Sequence, residues 1–271
     1  MAELLFNFPY TVALLNDHQI GFHSSGHSVR PTIFEFTDVR NYQEAFQTSV
    51  LRETSHINPL TGYVEGKGGI FALKALFPNK RIVAFRAPGH CWTPPHLEAL
   101  RSLGIFYDFS TNISANPCNY RNLTFYPYPV FGHWRGTFSQ YRHLIFALRR
   151  NTSVLTIHPS MIVNKLDWDE IYFKSNPAKL RSVPVRSPAE AASLFNKFEF
   201  LLKQVRGLQN INALDVTPNL KKANTTLFPS LFDAEKQYAM SMKWVTQFGY
   251  TPQFLYNHFN QFFRQAKSEL T

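Results

Sequence analysis

The chain has 271 residues, of which 44% are apolar and 17% charged. That balance excludes a disordered polyelectrolyte and supplies material for a real core, and the length suits one large domain plus trimmings. No stretch approaches the roughly 18 apolar residues needed to cross a bilayer, so no membrane span is expected. The net charge is +10, from 28 Lys and Arg against 18 Asp and Glu. The basic residues stand in doublets such as Arg149–Arg150 and Lys221–Lys222 rather than in a run. A diffuse cationic surface is expected, with no nucleic-acid partner.

Cys91 and Cys118 are too few for a disulfide framework or a zinc knuckle, and leave a single bridge between them open. The opening residues, MAELLFNFPYTVALLNDHQ, carry Glu3 early, have no basic segment and show no small-residue cleavage site. As given, they predict a cytoplasmic protein without a signal peptide.

In chain order, residues 2–18 read as a helix interrupted by Pro9, followed by a strand at Gln19–Ser25. Residues 41–54 and 66–77 look helical, the first with Tyr42, Ala45, Phe46 and Val50 at helical spacing. RIVAFRAPG is a β-rich run ended by Pro and Gly. The segment TPPHLEALRSLG has Thr93 as N-cap, prolines in its first turn and Gly104 at its end, the asymmetry of a helix. IFYDFS and LTFYPYPVF then read as strands, 139–150 as a helix and SVLTIHP as a strand. A Pro-rich stretch over about 164–187 leads to a helix at 188–206 and a short run INALDVT; the tail from Pro229 reads as two helices. Strands separated by helices predict βαβ units and a parallel sheet, open or closed into a barrel. In such folds chemistry sits at the carboxyl ends of the strands.

Four clusters fall at predicted strand ends. HSSGH places His23 and His27 four apart, so that one helical turn could aim both at a metal ion; capping is the plainer reading of an isolated pair. RAPGHCW sets the permanent cation of Arg86 beside main-chain N–H groups able to bind a developing oxyanion. YDFS puts Asp108 at the end of the next strand, and LTIHP puts His158 at the end of an apolar one. Singly, these are ordinary caps and hydrogen-bonded side chains. Together they are the parts of a metal-assisted hydrolase.

The order HSxxH, RxPG with a following helix, YD(S/F)S and hIHP resembles the polysaccharide deacetylases of the NodB-like superfamily. In particular it looks like the branch that includes peptidoglycan N-deacetylases and a cofactor-free type of allantoinase. The resemblance covers roughly residues 1–220 and is strongest over 19–27, 81–113 and 153–160. It implies an α/β fold: a distorted (β/α) barrel over 1–222, missing its first strand, with a helical extension at 223–271. By the same resemblance, His23 and His27 are two of three protein ligands of a divalent metal, usually zinc. That metal polarises the acetyl carbonyl and lowers the pKa of a bound water towards about 7. His158 is the general acid for the leaving amine, Arg86 orients the catalytic carboxylate, and the N–H near Gly89 helps hold the oxyanion. Trp92 and Trp134 are sugar-stacking walls or core residues, with even weight on each.

The chain departs from the family at its start. Members carry an Asp-Asp pair near the end of the first strand, one carboxylate serving as base and the other as third metal ligand. Only 22 residues precede His23, whereas a first βα unit and its connection need about 30. Asp17, in the predicted helix, is poorly placed to substitute. Three accounts stay open: a chain shortened at its N-terminus, which would carry away any export signal; a relative that has lost activity and kept a sugar cleft; or a replacement carboxylate such as Asp108, Glu35 or Asp38. The leading expectation is a metal-dependent hydrolase removing N-acetyl groups from a polysaccharide or peptidoglycan-like glycan. The alternatives are an inactive carbohydrate-binding relative and a hydrolase of a small ureide-like amide. Nothing in the residues sets the oligomeric state.

Overall fold

The computed structural model describes residues 5–25, 42–58, 63–88, 92–110, 118–126, 158–166 and 183–206. They fall in two compact units, one within 1–126 and one within 127–211.

The first unit is mixed α/β. Its larger sheet has the order β3 (Ala84–Phe85), β4 (Tyr107–Asp108), β6 (Leu123–Phe125), β5 (Cys118–Tyr120). The first three strands are parallel, and β5 runs antiparallel to β6. Phe22 adds an isolated parallel bridge to Phe85 on the other side of β3. Ile82, Val83, Ala84 and Phe85 are all buried, which is why this strand reads as continuous apolar sequence: a parallel strand covered on both faces has no solvent side to alternate with. β5 and β6 turn through Arg121 and Asn122, whose φ values of 49° and 59° are those of a two-residue type I′ hairpin.

The connection from β3 to β4 is α4 (Pro94–Ser102), as expected from its prolines and closing glycine. Thr93 occupies the cap position with extended backbone, although its side chain makes no capping bond. At the other end Gly104 takes φ +92°. Its N–H bonds to the Arg101 carbonyl at 3.1 Å, and the Ile105 N–H reaches back to Leu100 at 3.0 Å. This double closure is the Schellman motif, and it drops Ile105 into the core as the chain enters β4.

α2 (Tyr42–Thr54) packs along α4. Its buried stripe is Ala45, Ser49 and Glu53, at helical spacing but with polar residues at two of the positions. Ser49 is satisfied within the helix, its hydroxyl donating to the Ala45 carbonyl at 2.7 Å. Phe46 and Val50, apolar in sequence, lie only half-buried.

One expectation near the start holds and one further on is corrected. Pro9 begins α1 (Pro9–Leu15), because a ring without an N–H belongs in a first turn; Leu5 before it is also helical, so the helical stretch is broken just ahead of Pro9, as expected. The expected helix over 66–77 is shorter. Ser55–Ile57 (β1) and Val64–Lys67 (β2) form an antiparallel pair, and α3 (Ile70–Leu76) starts only after Gly69. Gly69 has φ +55°, and a Cβ there would lie 2.3 Å from the Glu53 carbonyl oxygen. Only glycine fits this corner.

The core gathers Phe85, Trp92, Leu97, Leu100, Leu123 and Phe125 between the sheet and α4. Fully burying each such side chain is worth about 1.5–3 kcal/mol. A closed barrel is not found among the described residues.

The second unit contains α5 (Ser160–Val163) and α6 (Pro188–Val205), which pack together beside an antiparallel bridge from Asn164 to Val185. α6 starts on a full capping box: Ser187 Oγ accepts from the Glu190 N–H while Glu190 accepts from the Ser187 N–H at 2.8 Å. The helix expected at 139–150, the run at 211–217, the C-terminal helices and the boundary at 222/223 lie outside the described residues. No described helix is long and apolar enough to cross a membrane.

Candidate site at the carboxyl ends of the parallel strands

Strand register brings three of the four sequence clusters towards one edge. Phe22 pairs with Phe85, Phe85 with Asp108, and Asp108 with Phe125. The residues leaving this row at its carboxyl end are His23, Arg86, Phe109 and Tyr126. The ladder continues through them: Arg86 N–H donates to the Phe22 carbonyl at 3.0 Å, Phe109 N–H to Phe85 at 2.9 Å and Tyr126 N–H to Asp108 at 2.8 Å. This is the edge where parallel α/β sheets carry ligands.

His23 is exposed, and its Nδ1 lies 2.6 Å from the Arg86 main-chain oxygen. A carbonyl only accepts, so Nδ1 carries the proton and Nε2 carries the lone pair. An imidazole held by its Nδ1–H on a carbonyl is the arrangement of a metal-ligating histidine. On that test His23 fits a ligand. Among the described residues no group of three or more His, Cys, Asp or Glu is assembled to hold a metal. His27, the second expected ligand, lies outside them, as do Gly89, Trp134, Glu35, Asp38 and Cys91.

Asp108 is 0% exposed. Its Oδ1 accepts the Ser110 N–H at 2.7 Å and its Oδ2 the Ser110 hydroxyl at 2.8 Å. Ser110 Oγ in turn accepts the Ala87 N–H at 2.6 Å, so the turn after β4 is tied to the turn after β3. Burial pushes the Asp108 carboxyl up to about 7, against the opposing pull of the Ser110 bonds and the Arg86 guanidinium. With both oxygens engaged and no surface exposed, this carboxylate acts on Arg86 and on the two turns. As a replacement for the water-activating base it is too deeply enclosed.

Of the two readings of Trp92, the structure has the core one. It is 1% exposed, with its ring centroid 5.8 Å from Tyr120 and 5.4 Å from Phe125. Such a ring fills the core and offers no face to a sugar. The aromatic pair at the strand exits is instead Phe109 on Tyr126, stacked at 5.2 Å with 16° between planes.

His158 belongs to the second unit, where its carbonyl accepts the Met161 N–H at 3.0 Å and the chain enters α5. Residues 151–157 of its expected strand lie outside the described residues.

Sequence reading missed a buried polar centre beneath HSSGH. Glu53 Oε1 lies 2.8 Å from His96 Nε2, and both side chains are buried. The Ser24 hydroxyl donates to the same carboxylate at 2.8 and 3.1 Å, and the Ser25 N–H at 2.8 Å. The signal was present: Ala45, Ser49 and Glu53 recur every four residues on one helical face. Polarity hid it, because a carboxylate on a helix is ordinarily solvated.

No protein-family model, curated protein or solved structure matches the chain.

Proposed function

We propose that the protein is a metal-dependent hydrolase of the NodB-like polysaccharide deacetylase type, removing N-acetyl groups from a polysaccharide or peptidoglycan-like glycan. The observation that carries this reading is the gathering of His23, Arg86 and the YD turn at the carboxyl ends of neighbouring parallel strands. Unrelated caps scattered along a chain have no reason to share one sheet edge. The parallel row is proposed to continue into a distorted (β/α) barrel, with the C-terminal helices as an extension.

In this reading His23 and His27 hold a divalent metal, zinc in the usual case, which supplies an activated water and a polarised carbonyl. His23 contributes its Nε2 lone pair, since Nδ1 is committed to the Arg86 carbonyl. Arg86 is held at the site by two main-chain bonds and keeps its cation beside Asp108. Asp108 positions that cation and, through Ser110, ties the turn after β4 to Ala87. His158, which lies in the second unit, is the general acid by the resemblance alone.

The test is acetate release from N-acetylglucosamine oligomers with and without added zinc, with allantoin assayed in parallel. Zinc-dependent release that is lost in His23→Ala supports the deacetylase. Hydrolysis of allantoin alone moves the substrate to a small ureide, and glycan binding without release marks an inactive relative.

A further inference from the structure

We infer that Glu53 is a positioning residue for His23, a buried carboxylate that sets the aim of the imidazole by clamping the two serines that follow it. His23 is exposed, so packing alone does not hold its ring. Two features bear on its orientation. One is the 2.6 Å contact of Nδ1 with the Arg86 carbonyl on β3. The other is the path of the main chain immediately after it.

That path is unusual. Ser24 has φ +60°, in the left-handed region that a residue with a Cβ enters only when its surroundings hold it there. The holding group is Glu53, whose oxygens receive the Ser24 hydroxyl at 2.8 and 3.1 Å and the Ser25 N–H at 2.8 Å. Ser25 is then pinned a second time, its hydroxyl donating to the Ser55 carbonyl at 2.7 Å. The carboxylate is itself steadied by His96 Nε2, on the first turn of α4, which lies 2.8 Å from the same Oε1 that takes the Ser24 hydroxyl. Gly69 closes over the Glu53 main chain with no room for a Cβ.

A carboxylate taken out of water requires donors, and the donors within its reach are the groups that bend the chain at His23. Glu53 is enclosed and touches no reacting group, so it acts through Ser24 and Ser25. The role in metal binding rests on the reading of His23 as a ligand. The orienting role stands on geometry alone.

The test uses the full chain labelled with 15N, as wild type, Glu53→Gln and Ser24→Ala. Long-range 15N–1H correlation at pH 8 reports the tautomer of His23. Competition with a chelating dye reports zinc affinity. Wild type is expected to show His23 as the Nδ1–H tautomer. Glu53→Gln presents an amide N–H₂ where a donor now enters, and is expected to shift His23 towards the Nε2–H form and weaken zinc about 10–100-fold. Ser24→Ala, which leaves the Glu53 side chain in place, is expected to move both readouts in the same direction by less. A folded Glu53→Gln protein with an unchanged His23 tautomer overturns the inference. If that variant fails to fold, an unchanged tautomer in Ser24→Ala overturns it equally. Absence of zinc binding by wild type sinks the proposed function and leaves the tautomer comparison to decide the role of Glu53.

Discussion

Asp108 and Ser110 close a two-point contact across a single intervening residue, the carboxylate taking both the N–H and the hydroxyl of the serine at 2.7 and 2.8 Å. Because burial dominates, the folded protein keeps a proton on Asp108 up to about pH 7, well above the ordinary value of 3.8. The sign follows from linkage. The unfolded chain releases that proton first, so stability from this group is fully present below about pH 4 and declines as pH rises towards 7. Urea midpoints measured from pH 4 to pH 8 should therefore fall less steeply in Asp108→Asn than in wild type. Arg86→Ala, which removes the opposing cation, should carry the decline above pH 7. Equal slopes in wild type and Asp108→Asn would remove Asp108 as the source.

His158 is the residue assigned to proton delivery, and its loss has a distinct kinetic form. His158→Ala should lower kcat for acetate release by about 10²–10⁴-fold with little change in KM, since a general acid works in the transition state. A rise in KM at constant kcat would show that His158 binds substrate instead. Stripping the metal with a chelator should abolish release in both proteins, and zinc should restore it in wild type.

Trp92 separates packing from recognition. Enclosed against Tyr120 and Phe125, it should cost about 3–5 kcal/mol of stability on truncation to alanine. Trp92→Phe should retain glycan affinity while losing part of that stability. A fully stable Trp92→Ala protein with weakened glycan binding would restore the stacking-wall role.

Gly69 is the steric hinge beneath the serine clamp. With φ +55° and no space before the Glu53 carbonyl, Gly69→Ala adds about 1–3 kcal/mol of backbone strain to a direct clash. A total loss of about 3 kcal/mol or more is expected by chemical denaturation. A loss under about 1 kcal/mol would mean that the corner can re-form around a side chain.

Much of the local structure was legible in the residues themselves. The helix from Pro94 to Ser102 announced both ends, since proline tolerates a first turn and glycine alone closes a Schellman motif cheaply. The helix from Pro188 was equally plain, its capping box being a contact between residues three apart. The apolar run at Ile82–Phe85 and the YD end of β4 also stood out, because a strand buried on both faces needs apolar side chains at every position. Contacts between distant residues were not legible. Periodicity marked Tyr42, Ala45, Phe46 and Val50 along α2, and the fold buried Ala45 together with Ser49 and Glu53 while leaving Phe46 and Val50 half-buried. A buried carboxylate is tolerable only where donors from Ser24, Ser25 and His96 converge, and these lie 28 to 43 residues away from it. Likewise Trp92 and Asp108 carry the residue types of a site, yet the tertiary structure encloses both. The sequence by itself determined which chemistry the chain possesses. Only folding decided which of those groups meet water and which spend their bonds on one another, because burial and hydrogen-bond partnership belong to neighbours in space and not along the chain.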